Sequence, residues 1–186
     1  MAYKLFDAAG QEITFHDLQD KGPWCQTGVS IENTFVSKFG AKLGVTINPS
    51  KTNDAYSPDL LEVGSSILAD LKTQNTPFFQ ANQRFGLDPQ RVVVFNKKDA
   101  DRYERLYPAI IIYFWVDWQA VRFESGAQII QVNPMSEVWR IPFPDLQKLL
   151  QKAPLHFYAQ RRNDNLGNAK SSYVLNLADP KFAQVV

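Results

Sequence analysis

The segment YSPDLLEVGSSILADLK, residues 56–72, decides the reading of this chain. Tyr56 to Val63 reads as a strand, Gly64-Ser65 as a two-residue turn, and Ser66 to Lys72 as the returning strand. Glycine at the first central position suits a type II′ hairpin. That register sets Val63 against Ser66, Leu61 against Leu68 and Asp59 against Asp70. Directly opposed side chains lie about 4.5–5.5 Å apart at Cβ, where like charges repel. A divalent cation with hard oxygen ligands is the natural compensation. Side chains alternate along a strand, so Asp70, Lys72 and Gln74 share a face with Leu68, while Ile67, Ala69 and Leu71 share the other. Two carboxylates, an ammonium and an amide are thereby aimed at one spot. Phosphodiester hydrolysis uses this set. Carboxylates hold Mg²⁺, which polarises the phosphate and acidifies bound water. A lysine orients or activates that water, or stabilises charge developing on the phosphate.

A second element points the same way. Ser30 offers an N-cap for a helix from Ile31 to Leu43, closed by Gly44. At about 100° per residue, Phe39 lies about 20° and Leu43 about 20° to either side of Glu32, with Val36 and Phe35 farther out. Glu32 therefore sits in the apolar stripe and points toward the sheet. A buried carboxylate needs a cation or a hydrogen-bond donor, and the metal site is one place to find it.

Upstream, Tyr3 to Phe15 reads as a hairpin with Asp7-Ala8-Ala9-Gly10 as its turn. Val45 to Ile47 is a short strand and Asn48-Pro49-Ser50 a loop. Thr76-Pro77 marks a helix start, with Gly86 as its stop. Arg91 to Phe95 is a buried strand. Asn96 caps a helix from Lys97 to about Tyr107, ended by Pro108. Ala109 to Trp118 is a central strand, almost wholly apolar or aromatic. Strands follow at Ala120 to Phe123 and Gln128 to Val132, then a helix from Pro144 through Lys152. Leu155 to Gln160 and Ser171 to Leu177 make a last strand pair. The expectation is one α/β domain over residues 1–186: a central mixed β-sheet flanked by helices.

Composition narrows the classes. At 186 residues a single domain is the default, and 24 aromatic residues supply a packed core and argue against disorder. A formal charge of +1 gives no global electrostatic case for nucleic acid, so affinity for DNA has to come from local patches or from metal. Cys25 is the single cysteine, which excludes an internal disulfide and a Cys-rich zinc site. His16 and His156 are the two histidines and lie far apart, against a His-based metal cluster. No Gly-rich phosphate loop is present, so no nucleotide cofactor is expected. No basic region followed by an apolar run opens the chain, and the longest apolar stretch is about half the ~20 residues that span a bilayer. A cytoplasmic protein without a membrane segment is expected.

Glu32, Pro58-Asp59 and Asp70-Leu71-Lys72 together resemble the PD-(D/E)xK nuclease superfamily, the restriction-endonuclease-like fold. Its pattern is a helix carrying Glu, a strand ending near Pro-Asp, then a strand carrying Asp/Glu-x-Lys. The resemblance covers about residues 30–118. It implies Asp59, Asp70 and the Leu71 backbone carbonyl as metal contacts, with Lys72 near the nucleophile. Gln74 resembles an auxiliary polar residue of some branches, and Asp at position 70 is a tolerated variant of the pattern. The implied activity is Mg²⁺-dependent DNA endonuclease, with Mn²⁺ substituting; at this size, with no separate DNA-reading domain in view, a homodimer is expected. A type II restriction enzyme is the first subtype and a junction-resolving or repair nuclease the second. A catalytically silent nucleic-acid-binding or protein-interaction module on the same fold is the alternative.

Lys38 and Lys42 on the flank of the Glu32 helix, and Arg161, Arg162, Asn163 and Asn165 in a polar loop, are candidate DNA contacts; solvated lysines and a solvated turn are the readings favoured over them. Lys97, Lys98, Arg102 and Arg105 alternate with Asp99, Asp101 and Glu104, which reads as an exposed, salt-bridged helix.

Overall fold

A computed structural model describes residues 3–13, 31–54, 56–157 and 171–186. Ser30, Cys25, His16 and the loop residues Arg161, Arg162, Asn163 and Asn165 lie outside the described residues.

The apolar run near residue 111 explains the centre. β6 (Ile111–Asp117) is buried on both faces, and its two side-chain sets enter different cores. Ile112, Phe114 and Val116 pack with Phe95, Tyr103, Phe143 and Leu146. Ile111, Tyr113 and Trp115 pack with Phe35, Val45, Leu60 and Leu71. Around it forms a six-stranded mixed sheet in the order β12-β9-β6-β4-β3-β2. The partners are β2 (Val45–Ile47), β3 (Leu60–Glu62), β4 (Leu68–Gln74), β9 (Ser136–Pro142) and β12 (Ala183–Gln184). Pairing is antiparallel except between β4 and β6, which run parallel. That parallel pair requires a crossover. It contains β5 (Val92–Asn96) and the helix Lys97–Leu106, whose Asn96 side chain caps the Lys98 N–H at 2.9 Å.

Two three-stranded sheets complete the fold. β10 (Leu155–Phe157), β11 (Ser171–Asn176) and β5 form one; β1 (Lys4–Phe6), β7 (Arg122–Ser125) and β8 (Gln128–Gln131) form the other. The mixed α/β class agrees with expectation. The strand β9 was not expected, although Val138, Trp139 and Ile141 bury between polar neighbours.

The N-terminal helix lies on the Tyr113 side of the sheet. Residues 31–35 are α-helical, Val36–Gly40 form a π-helical turn, and Ala41–Leu43 close it before Gly44 at φ 65°. A Cβ on Gly40 would meet the Val45 carbonyl oxygen at 2.9 Å and Val36 Cγ1 at 3.0 Å. Gly40→Ala is therefore expected to destabilise the protein by about 1–3 kcal/mol, the usual cost of overpacking, as read by urea denaturation.

Three local expectations are corrected. β3 begins at Leu60, and ahead of it Asp54 accepts from the Tyr56 and Ser57 N–H groups. The hairpin loop is four residues long rather than a two-residue type II′ turn. Ser66, not Gly64, takes the left-handed conformation at φ 55°, and its N–H returns to the Glu62 carbonyl. The helix expected from Thr76-Pro77 starts later, at Ala81–Phe85, after single turns at Pro77 and Phe78.

Glu62 fastens the hairpin to the rest of the sheet. Its carboxylate accepts from the Tyr113 hydroxyl at 2.7 Å and from Arg140 Nε at 3.0 Å. Burial pushes the Glu62 pKa up, but the Arg140 guanidinium and the Tyr113 hydroxyl outweigh it and hold it below the usual glutamate value. A depressed folded-state pKa gives stability that is present above the unfolded pKa and lost as pH falls through the folded one. The stability advantage of wild type over Glu62→Gln is thus expected to shrink as the pH is lowered from about 5 to about 3, measured by denaturant titration at each pH.

Candidate active site

The hairpin register is the expected one despite the different loop. Leu61 pairs Leu68 and Leu60 pairs Ala69, so Asp59 and Asp70 follow as the next opposed positions. Both carboxylates are withdrawn from solvent, with 15% of the Asp59 and 3% of the Asp70 side chain exposed. Asp59 Oδ2 accepts from the Leu71 N–H at 3.1 Å. Within a strand residue, N–H and C=O project to the same side. The Leu71 carbonyl thus leaves β4 beside Asp59, past the end of β3.

β4 places Ala69 and Leu71 in the core beneath the N-terminal helix and turns Asp70, Lys72 and Gln74 the other way. That opposite face is also interior, lined by Phe95 and Tyr103. Lys72 Nζ lies 2.8 Å from Asp70 Oδ2 and 2.6 Å from Asp99 Oδ2. It also lies 5.5 Å from the Tyr103 ring centroid. Burial works against the ammonium, but the Asp70 and Asp99 charges prevail and hold its pKa well above the ordinary lysine value. Lys72 is therefore held as a cation between Asp70 and Asp99 in this arrangement. Arg102 closes the group, 4.0 Å from Asp70 Oδ1 and 3.7 Å from Asp99 Oδ1. It also donates to the Tyr103 hydroxyl at 2.8 Å.

On the other flank, Glu32 faces inward as the helical wheel requires, and its partner is Lys51. Lys51 Nζ lies 2.6 Å from Glu32 Oε1 and in direct contact with Asp59 Oδ1. Lys51 comes from the 3₁₀ turn Pro49–Thr52, which Asn48 anchors. The buried Asn48 side chain accepts from the Ser50 N–H at 3.1 Å and donates to the Pro58 carbonyl at 2.8 Å. Its own N–H donates to the Asp59 carbonyl at 3.0 Å. Burial, followed by the Asp70 charge, pushes the Asp59 pKa up to about 7, against the pull of Lys51.

Glu32, Asp59, Asp70 and Lys72 are thus brought together. Gln74 is not part of this group. Its amide accepts from the Val94 N–H at 3.0 Å and donates to the Thr76 carbonyl at 3.0 Å, so it ties β4 to β5. Lys38 lies 5.3 Å over the Trp115 ring, and Lys42 lines a surface cleft with Glu62, Tyr113 and Arg140. Ten helical residues place Lys42 about 15 Å along the helix from Glu32. Three contributors escaped the sequence reading: Lys51, Asp99 and Arg102. The inward face of the Lys97–Leu106 helix, marked by buried Ala100 and Tyr103, was the available signal for Asp99 and Arg102. The exposed ion-paired face expected there is real but narrower, held by Lys97 and Asp101 at 2.7 Å.

Among the described residues, no three His, Cys, Asp or Glu side chains stand as a ligand set; the Lys51 ammonium lies between Glu32 and Asp59, and that of Lys72 between Asp70 and Asp99. The donor chemistry nevertheless fits a hard dication. Asp70 and Asp59 offer carboxylate oxygens, the first buried beside the Lys72 ammonium and the second accepting from the Leu71 N–H. No described helix is long and apolar enough to cross a membrane. Protein-family models, curated proteins and solved structures give no match to this chain.

Proposed function

We propose that this protein is a Mg²⁺-dependent DNA endonuclease with a restriction-endonuclease-like core. One observation carries the reading. Asp59, immediately before β3, stands at the position opposite Asp70 on β4 and feels its charge, with Lys72 paired to Asp70 and Lys51 joining Glu32 to Asp59. A buried cluster of this kind is a poor way to stabilise a fold, since well-packed apolar residues are often as good or better. Local departures from core patterning concentrate at functional sites. A helix, three antiparallel strands and a parallel fourth strand reached through the Lys97–Leu106 helix are in keeping with the same family, with Ala81–Phe85 and β5 inserted before that helix.

In this reading Asp59, Asp70 and the Leu71 carbonyl hold the ion, and Glu32 orients that set. When bound, Mg²⁺ supplies Lewis acidity toward the phosphate and a water nucleophile at neutral pH. Lys72, paired with Asp70 and Asp99, stabilises negative charge on the phosphate or orients the attacking water. Water adds to phosphorus, the P–O bond to one sugar breaks, and that oxygen leaves with a proton. With one site per chain, a homodimer addresses both strands; Mn²⁺ takes the place of Mg²⁺. Incubation of purified protein with supercoiled plasmid, branched DNA and RNA tests this, with Mg²⁺, Mn²⁺ or EDTA. Metal-dependent nicking or linearisation is expected. Metal-independent DNA binding without cleavage of any substrate favours the catalytically silent module instead.

A further inference from the structure

Lys51 is the residue that neither the motif nor the hairpin accounts for. Its ammonium stands where two carboxylates from different elements meet, Glu32 on the N-terminal helix and Asp59 at the start of β3. Its backbone is fixed, because Asn48 binds the 3₁₀ turn to Pro58 and Asp59. Its side chain is not enclosed; 21% of it remains exposed. A rigid base with a four-carbon, rotatable stem lets a partly exposed head change place while the backbone stays.

Charge decides what that movement accomplishes. With every carboxylate ionised, as a bound dication requires of its ligands, four carboxylates (Glu32, Asp59, Asp70, Asp99) face three cations (Lys51, Lys72, Arg102), a net of one negative charge. A dication added to this set leaves an uncompensated positive charge. A dication exchanged for the Lys51 head leaves the group neutral. Unbalanced charge in a poorly hydrated site is costly, so exchange is favoured over addition.

We propose that Lys51 is an internal counter-cation that holds Glu32 and Asp59 in the metal-free protein and yields its place to a divalent ion. This rests on the site being a divalent-cation site and adds how that site is kept until the ion arrives. Lys51 then swings outward on its stem, toward the opening where a phosphate backbone would approach.

Amine acylation with mass-spectrometric readout tests the exchange on the unaltered protein, with Lys42 as the exposed internal reference. Saturating Mg²⁺ is expected to raise the labelling rate of Lys51 several-fold relative to Lys42. Calorimetric titration of Mg²⁺ provides a second measurement. A lysine occupying the site about nine-tenths of the time weakens apparent affinity about tenfold, so Lys51→Met is expected to bind Mg²⁺ about tenfold more tightly than wild type. The melting temperature of Lys51→Met is also expected to rise more on adding Mg²⁺. If Mg²⁺ binds but neither Lys51 labelling nor affinity changes, the exchange is wrong and the nuclease reading stands. If Mg²⁺ and Mn²⁺ bind neither protein, both fall together.

Discussion

Asp70→Asn is expected to give a folded protein that no longer cleaves DNA. The carboxylate is 97% withdrawn from solvent by side-chain area, on a β4 position that would otherwise be core. Its Oδ2 is buried and has the Lys72 ammonium at 2.8 Å. Loss of one preorganised electrostatic contact costs about 10²–10³-fold in turnover, and loss of a metal ligand should reach at least the upper end. Stability should move little or improve. The substitution leaves three carboxylates facing three cations, and Lys72 keeps Asp99 at 2.6 Å. Plasmid cleavage with Mg²⁺ and with Mn²⁺, run beside a thermal melt, reads both quantities. Cleavage within threefold of wild type would remove Asp70 from the metal site. Loss of cleavage together with a collapsed melt would mean that Asp70 is needed for the fold.

The sequence disclosed what depends on period and register. A strand period of two put Asp70 and Lys72 on one face, and counting back from the turn brought Asp59 opposite Asp70. That count survived a wrong turn type, because a four-residue loop from 63 to 66 and a two-residue turn at 64–65 impose the same pairing. The helical period likewise turned Glu32 inward. Lys51 was hidden for a physical reason. It reaches the site from a 3₁₀ turn, where no periodicity says which way a side chain points, and its placement depends on the tertiary bonds of Asn48. Asp99 and Arg102 were hidden differently. Their helix is rich in charge, and alternation of sign suggested a solvated surface, whereas Tyr103 beside them marks the buried face. Gln74 shows the converse error. It keeps the right parity on β4, but four residues along the strand it has already passed the site and meets β5.

Lys72→Met is expected to be the most destabilising single change at the site, at about 3–5 kcal/mol, the range found when one partner of a buried ion pair is removed. The reason is what remains. Asp70 and Asp99 would be left in an interior lined by Phe95 and Tyr103, with Arg102 as their nearest cation at 4.0 and 3.7 Å. Were Lys72 a solvated surface lysine, the same change would cost about 1 kcal/mol or less. A double-mutant cycle separates the two cases. Asp70→Asn should restore much of the stability lost in Lys72→Met, because one of the stranded carboxylates is then neutral, giving a coupling of about 0.5–3 kcal/mol between the positions. Saturating Mg²⁺ should also raise the melting temperature of Lys72→Met more than that of wild type, since a dication at Asp59 and Asp70 supplies charge that the missing ammonium no longer does. Denaturant titrations of the four proteins, with EDTA and with Mg²⁺, give every quantity needed. Additive effects of the two substitutions, with no metal-dependent recovery, would show that the Asp70–Lys72 contact is not where the buried charge is balanced.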